Sequence, residues 1–148
     1  MDANVLMTDA DTRRLRELTR RLKASGRSRT DHIAALKHRM STADIVSPED
    51  IPRNVVTMNS RVRLRDIDTG KRQILTLADP FGISMFGDRL SVAGPCGTAL
   101  LGKRVGQIVE WKLGARTRRF RIEKVIYQPE AAGDFHLSPE RNLKGEMS

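Results

Sequence analysis

The segment RVRLRDI, residues 61–67, decides the fold class because charged and apolar side chains alternate along it. In an extended chain Val62 and Leu64 point inward, whereas the arginines between them point outward. The next residues, DTGKR (68–72), are typical of a hairpin turn, and QILTL (73–77) predicts a returning strand. The sequence therefore predicts an antiparallel β-hairpin with one apolar face and one arginine-bearing face.

Further along the chain, the pattern predicts more strands and one short helix. The segments are RLSVAG (89–94, strand), PCGTALLG (95–102, helix), QIVEWKL (107–113, strand) and RRFRIEKVIY (118–127, strand). Pro95 suits the first position of a helix, and Gly102 suits the residue just after its end. The last two strands form a hairpin that turns near Gly114. These elements predict an α+β fold, with an antiparallel β-sheet and one short helix.

Before residue 47 the period changes from two to three and four, which predicts two helices. The apolar positions are Leu15, Leu18 and Leu22 in the first helix, and Ile33, Leu36, Met40 and Ala43 in the second. Thr8 is the predicted N-cap of the first helix, Gly26 its end, and Thr30 the N-cap of the second helix. Residues 1–7 read as a loose lead-in. Because the apolar stripes are narrow, we expect a solvated, projecting helical hairpin.

Two prolines in VSPEDIPRN (46–54) separate the hairpin from the strands. The predicted organisation is a helical hairpin over residues 1–46, a linker over 47–53, a β domain over 54–136 and a flexible polar tail over 137–148.

The charge distribution points to a polyanionic partner. The 148-residue chain has a net charge of +9 and a pI of about 10.6. Between Arg13 and Arg29 there are eight Lys/Arg residues and one acid, Glu17. A basic arm of this kind favours nucleic acid, an acidic protein surface or an anionic membrane.

The motifs of common enzymes and cofactor sites are absent, so the sequence indicates a binding protein without a cofactor or metal. Cys96, the single cysteine, allows no internal disulfide and fits a reducing cytoplasm. It reads as a small buried hydrophobe rather than an activated thiolate. Asp66 and Asp68 read as turn residues rather than calcium ligands or a protease dyad, and the three histidines have no metal-ligand spacing. No secretory signal or membrane-spanning run is present.

Three segments resemble the Gre family of transcription elongation factors, and in particular its Rnk-type members. They are NVVTMNSRVRLRD (54–66), LSVAGPCGTALLGKRVGQIVEW (90–111) and VIYQPEAAGDF (125–135), and the resemblance covers about residues 47–135. It implies a short antiparallel coiled-coil hairpin followed by an FKBP-like domain. It also implies that the protein docks at the rim of the RNA polymerase secondary channel and extends its hairpin toward the active centre.

The hairpin tip differs from that of Gre factors, whose acidic tip residues help to hold a catalytic magnesium ion. Here the tip contains Arg27 and Arg29, and its single carboxylate is Asp31. Since magnesium prefers several oxygen ligands, we expect a regulator that competes with Gre factors without stimulating transcript cleavage. The basic tip has three possible roles: contact with acidic polymerase residues or nucleic acid in the channel, binding of free nucleic acid, or a solvated surface.

By the same resemblance, the polymerase-binding loop is Ala93, Gly94, Pro95 and Cys96. Gre factors carry Asp-Ser-Pro in this loop, and here Ala93 and Gly94 replace the two polar residues. An alternative is that Gly94 and Pro95 only shape the loop. The alternative function is a stand-alone basic nucleic-acid-binding protein. Isomerase activity, known in some FKBP-like domains, is disfavoured because few aromatic residues are present.

Overall fold

The computed structural model describes residues 5–26, 29–81 and 88–134. Its elements, in chain order, are β1 (Leu6–Thr8), α1 (Asp9–Ser25), α2 (Thr30–Thr42), β2 (Asp44–Val46), a 3-10 helix (Pro48–Asp50), β3 (Arg61–Asp66), β4 (Arg72–Ala78), β5 (Arg89–Ser91), α3 (Pro95–Leu100), β6 (Ile108–Leu113), β7 (Arg116–Tyr127) and α4 (Pro129–Ala132). The α+β class is confirmed. None of the helices in the described ranges is long and apolar enough to cross a membrane.

The larger sheet has five strands in the order β5-β4-β3-β7-β6. The two predicted hairpins, β3–β4 and β6–β7, are antiparallel, and β3 also pairs with β7 in antiparallel fashion. The prediction of a wholly antiparallel sheet is wrong at one edge, because β5 runs parallel to β4. Residues 79–88 connect these two strands, and a connection of that length lets the chain return to the starting end. A second short helix, α4, was also not predicted.

The turn between β3 and β4 is held by Asp66. Its Oδ1 accepts hydrogen bonds from the backbone N–H groups of Asp68 at 2.8 Å and Thr69 at 3.2 Å. Gly70 follows with φ of 79°, a conformation that favours glycine. The assignment of this motif to a hairpin turn is therefore confirmed.

The boundaries of the first two helices agree with the sequence signals at two points and differ at one. The Thr8 side chain accepts a hydrogen bond from the N–H of Asp11 at 3.0 Å, so the predicted N-cap is confirmed. Gly26 ends α1 with φ of 66°, and its N–H donates to the Leu22 carbonyl. Thr30, by contrast, is the first residue of α2, and Arg29 occupies the cap position without a side-chain cap.

The prediction of a loose lead-in over residues 1–7 is wrong for its described part. Residues 6–8 form β1, which pairs in parallel with β2 after the helical hairpin. Met7 is only 1% exposed. The N–H of Leu6 also donates to the carbonyl of Gly102 at 3.1 Å, which joins this strand to the loop after α3. β1 is therefore fixed by partners far along the sequence.

One cluster of buried side chains includes residues of both helices and of the large sheet. Its members include Leu15, Leu18, Leu22, Ile33, Leu36, Val62, Leu64, Leu77, Leu100, Phe120 and Ile122. The hairpin is therefore not a purely solvated projection, because its apolar stripe contributes to the same core as the strands. Sequence periodicity identified these positions but not what they pack against.

Candidate functional site

The loop before α3, residues 91–95, forms a tight corner with one exposed residue. The N–H of Ala93 donates to Ser91 Oγ at 3.1 Å, and Ala93 itself is buried. Gly94 takes the N-cap position of α3, and its carbonyl accepts from the N–H of Thr98 at 3.0 Å. Pro95 follows as the first helical residue and is exposed. Of the four predicted binding residues, Pro95 is therefore the one most available to a partner.

Two residues of α3, Thr98 and Gly97, hold this corner against the helix. Thr98 Oγ1 donates to the Val92 carbonyl at 2.7 Å. Gly97 lies against the chain at residues 91 and 92: a Cβ on Gly97 would overlap the Ser91 carbonyl oxygen and lie 2.8 Å from Val92 Cα. Backbone atoms cannot move aside as a flexible side chain can, so this position requires glycine. The loop is therefore packed tightly against α3.

Cys96 points toward the protein interior and packs against the core. Burial raises the pKa of its thiol to about 12, although the nearby Arg118 acts in the opposite direction. A thiol with this pKa remains protonated at neutral pH. The geometry supports the structural interpretation of Cys96 and not a nucleophilic or metal-binding role.

Arg39 of α2 connects the helical hairpin to α3. Its guanidinium donates from Nε to the Thr98 carbonyl at 3.1 Å and from Nη2 to the Ala99 carbonyl at 3.3 Å. These carbonyls lie in the last turn of α3, where the helix dipole favours a cation. The orientation of α2 is thereby fixed relative to the loop that carries Pro95.

At the base of α1, two acids lie near one another away from solvent. Asp11 is 1% exposed and accepts from Arg14 Nη1 at 2.8 Å and from the N–H of Met58 at 3.0 Å. Glu130 of α4 accepts from Thr57 Oγ1 at 2.7 Å. Burial raises the pKa of Asp11 to about 7, the charge of Glu130 adds to this, and Arg14 opposes it. Burial also raises the pKa of Glu130. This pair joins the hairpin to the sheet domain.

The raised pKa of Asp11 predicts that stability falls as pH rises from 4 to 8. Between the usual value of 3.8 and about 7, the folded state binds more protons than the unfolded state. We expect the free energy of unfolding to fall by about 2 kcal/mol over this range. This is roughly half of the loss that a pKa rise from 3.8 to about 7 would give in full. Asp66 and Glu123 have lowered pKa values, so the stability that they contribute is lost as the pH falls below this range. Urea unfolding at several pH values measures the slope.

An Asp11→Asn variant removes the titrating group while keeping an acceptor for the N–H of Met58. Its stability should vary with pH over this range at most half as much as that of the parent. Asp9→Asn, at an exposed position in the same helical turn, is the control and should keep the parent slope. Equal slopes for Asp11→Asn and the parent would show that Asp11 ionises normally.

The described part of the hairpin tip contains an intramolecular ion pair. Arg29 donates from Nε to Asp31 Oδ1 at 3.1 Å and from Nη2 to Oδ2 at 3.2 Å. This pairing lowers the pKa of Asp31. The other predicted tip residue, Arg27, lies outside the described residues. Within residues 5–26, 29–81 and 88–134, no group of three or more His, Cys, Asp or Glu side chains is placed to hold a metal ion.

Cations cover the solvent side of α1. The exposed residues are Arg13, Arg16, Arg20, Arg21 and Lys23. Arg20 pairs with Glu17 at 2.7 Å, and the guanidinium of Arg21 lies 4.3 Å from the ring centre of Phe81. The stacked Arg21 gives α1 a contact with the segment that follows β4.

Three contributors to this arrangement were missed in the sequence. Gly97 had a detectable signal, because a glycine inside a short helix usually marks a close backbone approach. Arg39 and Asp11 had none, since each looks like an ordinary polar residue of an amphipathic helix. Only their long-range partners reveal what they do.

Comparison with known proteins gives consistent results. Residues 51–127 match the family described as transcription elongation factor GreA/GreB, C-terminal. The chain is 37% identical over 134 residues to the regulator of nucleoside diphosphate kinase of Escherichia coli strain K12, covering 90% of this chain and 96% of that protein. It is 30% identical over 96 residues to transcription elongation factor GreA of Thermodesulfovibrio yellowstonii, covering 65% of this chain and 61% of that protein.

The solved structures include a similar fold. A prokaryotic transcription elongation factor GreA/GreB from Nitrosomonas europaea superposes with a TM-score of 0.66 at 33% sequence identity. The alignment covers 85% of this chain and all of that chain. The similarity therefore extends beyond the residues of the C-terminal family match.

Proposed function

The chain belongs to the GreA/GreB family of transcription elongation factors, and on that premise we propose that it regulates transcription by binding RNA polymerase at the rim of the secondary channel. There it competes with Gre-type factors, and it does not stimulate transcript cleavage. The observation that carries this proposal is the tightly packed corner at Ala93, Gly94, Pro95 and Cys96, which presents Pro95 to solvent next to a fixed helical hairpin.

The loop geometry supports binding by shape rather than by polar side chains. Ala93 is buried and Cys96 faces the core, so neither replaces the polar groups of a Gre loop. Pro95 and the backbone of Gly94 remain accessible at the start of α3. Because the hydrogen bonds of Ala93 and Thr98 already hold the corner in the unbound protein, little conformational entropy is lost when a partner covers it.

The hairpin is oriented by contacts that do not depend on the partner. Arg39 bonds to the end of α3, and Arg21 stacks on Phe81. A docked loop would therefore direct α1 and α2 along a defined axis. Each helix is short: at 1.5 Å per residue, the 17 residues of α1 span about 25 Å.

The tip does not fit a magnesium ion, which is the basis for proposing no cleavage stimulation. Magnesium requires near-octahedral oxygen coordination with carboxylates free to bind. Asp31 is a single carboxylate, and both of its oxygens accept from Arg29. A cation would have to displace this guanidinium. The tip is instead suited to contact with acidic polymerase residues or nucleic acid inside the channel.

The proposal also includes the division of the chain into a helical arm and a sheet domain. We assign α1 and α2 to a short coiled-coil arm and the strands with α3 to an FKBP-like domain, with the bounds 1–46 and 54–136 on either side of a linker. The leucines of α1 and α2 belong to the same buried cluster, which supports the assignment of a coiled-coil arm. A factor that acts on RNA polymerase works in the bacterial cytoplasm.

Pull-down of core RNA polymerase with the purified protein tests the proposal. We expect binding, displacement by excess GreA, and no stimulated cleavage in a backtracked elongation complex. Pro95→Glu should weaken binding about tenfold or more, which corresponds to about 1.4 kcal/mol, because it places a charge at the exposed corner. Glutamate is compatible with the first turn of a helix, so this variant should fold.

Ala131→Glu is the matched control, because it adds the same charge at an exposed position of α4. It should bind like the parent. Binding that GreA does not displace would place the protein elsewhere on the polymerase. Strong cleavage stimulation would contradict the assignment of a non-catalytic tip.

A further inference from the structure

Three arginines lie side by side across the outer face of the large sheet. Arg65 of β3 is directly opposite Arg72 of β4 on one side and directly opposite Arg121 of β7 on the other. Adjacent strands are about 4.8 Å apart, so the row spans about 10 Å between its outer Cα atoms. All three residues are exposed. We call Arg72, Arg65 and Arg121 the arginine row.

The row is only partly neutralised within the described residues. Arg72 shares one acid with Arg63: both donate to Glu123 Oε1, at 2.8 Å and 3.0 Å. Arg121 donates to the carbonyl of Gly106 at 3.2 Å, which carries no formal charge. Arg65, at the centre, makes no ion pair with any residue that the structure describes. The row therefore keeps an excess of positive charge.

This arrangement costs folding stability. Like charges at directly opposite positions of neighbouring strands repel one another, and pairs of this kind are destabilising. The row contains two such pairs in succession, and no acid of the described residues forms an ion pair with Arg65. An anion bound over the row would relieve the repulsion.

Cations also dominate the positions around the row. Along the same face β6 and β7 carry Lys112, Arg119 and Lys124, and β3 carries Arg61 and Arg63. β6 also carries one acid on this face, Glu110, which is directly opposite Arg119. Arg119 pairs with Asp68 at 2.8 Å and Arg61 pairs with Asp88 at 3.3 Å, so part of this charge is compensated. Arg65 and Arg121 are the members of the row without an ion pair among the described residues. This face is distinct from the α1 cations and from the loop at Pro95.

We propose that the arginine row binds the phosphodiester backbone of duplex nucleic acid. Guanidinium groups bind phosphate oxygens through paired hydrogen bonds, which makes arginine especially suited to this ligand. The row places three arginines at directly opposite positions of three neighbouring strands, so that their guanidinium groups can reach successive phosphates of one backbone. A contact of this kind reads no bases, because phosphate groups carry no sequence information.

A nucleic-acid ligand fits this face better than an acidic protein does. Protein interfaces need a buried apolar or aromatic centre. Here the exposed apolar residues of the sheet region are single isoleucines, Ile67, Ile74, Ile108 and Ile126. Ile74 is directly opposite Arg63 and Ile108 is directly opposite Arg121, so arginines stand between these side chains and no aromatic residue is exposed among them in the described part of the sheet. Binding dominated by charge should also depend steeply on salt concentration.

Fluorescence anisotropy with a labelled DNA duplex, measured at several salt concentrations, tests the proposal without polymerase. The row variant is Arg65→Gln with Arg121→Gln. Its affinity should fall about tenfold or more, and its slope of log K against log salt should become shallower by about 2, one for each lost phosphate contact. The control variant, Lys37→Gln with Arg53→Gln, removes the same charge from exposed positions elsewhere and should keep the parent slope.

Folding is checked in the same samples. Because the row variant relieves repulsion, its melting temperature should equal or exceed that of the parent, so lost binding cannot be attributed to unfolding. Equal affinities and slopes for the row and control variants would overturn the proposal. Displacement of the duplex by poly-glutamate as effectively as by unlabelled DNA, at equal charge, would also overturn it and would indicate an acidic protein partner.

Discussion

Replacing Gly97 with alanine should destabilise the protein by about 3 kcal/mol or more, at the severe end of overpacking effects. The added Cβ would overlap the Ser91 carbonyl oxygen and crowd Val92 Cα. Both atoms belong to a backbone corner that the Thr98 side chain also holds. Relief requires movement of α3 away from β5, which would open the core beneath Leu100.

Urea unfolding of Gly97→Ala measures this loss, and Gly94→Ala provides a close comparison. A Cβ on Gly94 would lie 3.8 Å from Ser91 O, an ordinary contact, and the Gly94 φ of −86° suits any residue. We expect Gly94→Ala to change stability by no more than about 1 kcal/mol, the usual effect at an N-cap. Similar results for the two variants would mean that the corner can adapt.

Replacing Leu36 with alanine should cost about 3 kcal/mol and should lower the stability of the whole protein. Leu36 lies on α2, is 0% exposed and belongs to the cluster that also contains Phe120 and Ile122 of the sheet. If the hairpin were an independent arm, this loss would be confined to the helices. Since the core is shared, the sheet should unfold at the same lower urea concentration.

Two probes separate these outcomes. Far-ultraviolet circular dichroism follows the helices, and the single tryptophan, Trp111, reports on the sheet because its ring stacks on Phe120 with a centroid distance of 4.9 Å. Both transitions should shift together. Lys37→Ala, at the next and exposed position of α2, should leave both unchanged. A Trp111 transition that stays in place while the helices melt early would contradict the shared core.

The local signals in the sequence were sufficient to place most elements. Alternation at Val62 and Leu64, the Asp66 turn, the Thr8 cap and the αL glycine at position 26 depend on neighbours within a few residues. Interactions of that range are encoded in short segments, which is why they can be identified before a structure is known.

The remaining features depend on long-range partners. β1 and β2 each have three residues, too few for a periodic pattern, and they meet only because α1 and α2 fold between them. The edge strand β5 also has only three residues, and its parallel direction is seen only in its pairing with β4. A short segment contains no information on such pairings.

For the candidate site, the sequence identified the loop but not its support. Pro95 was predicted at the first position of a helix, where the structure has it. Thr98 holds the loop through one hydrogen bond to a backbone carbonyl, and Arg39 orients the hairpin through two. Threonine and arginine are common on helix surfaces, so residue type alone does not predict that these side chains bond to backbone carbonyls of the loop and of α3.

The early position of β1 in the chain has a consequence for biosynthesis. Leu6 bonds to Gly102 and pairs with Asp44, so its partners leave the ribosome long after it does. Domains generally form as their segments emerge, in N-terminal order. The nascent hairpin must therefore wait, with its leucines uncovered, until α3 and the following loop have been translated. A nascent chain stalled after the first 90 residues would be an intermediate with exposed apolar side chains. Chaperone binding should be greatest at this length of nascent chain.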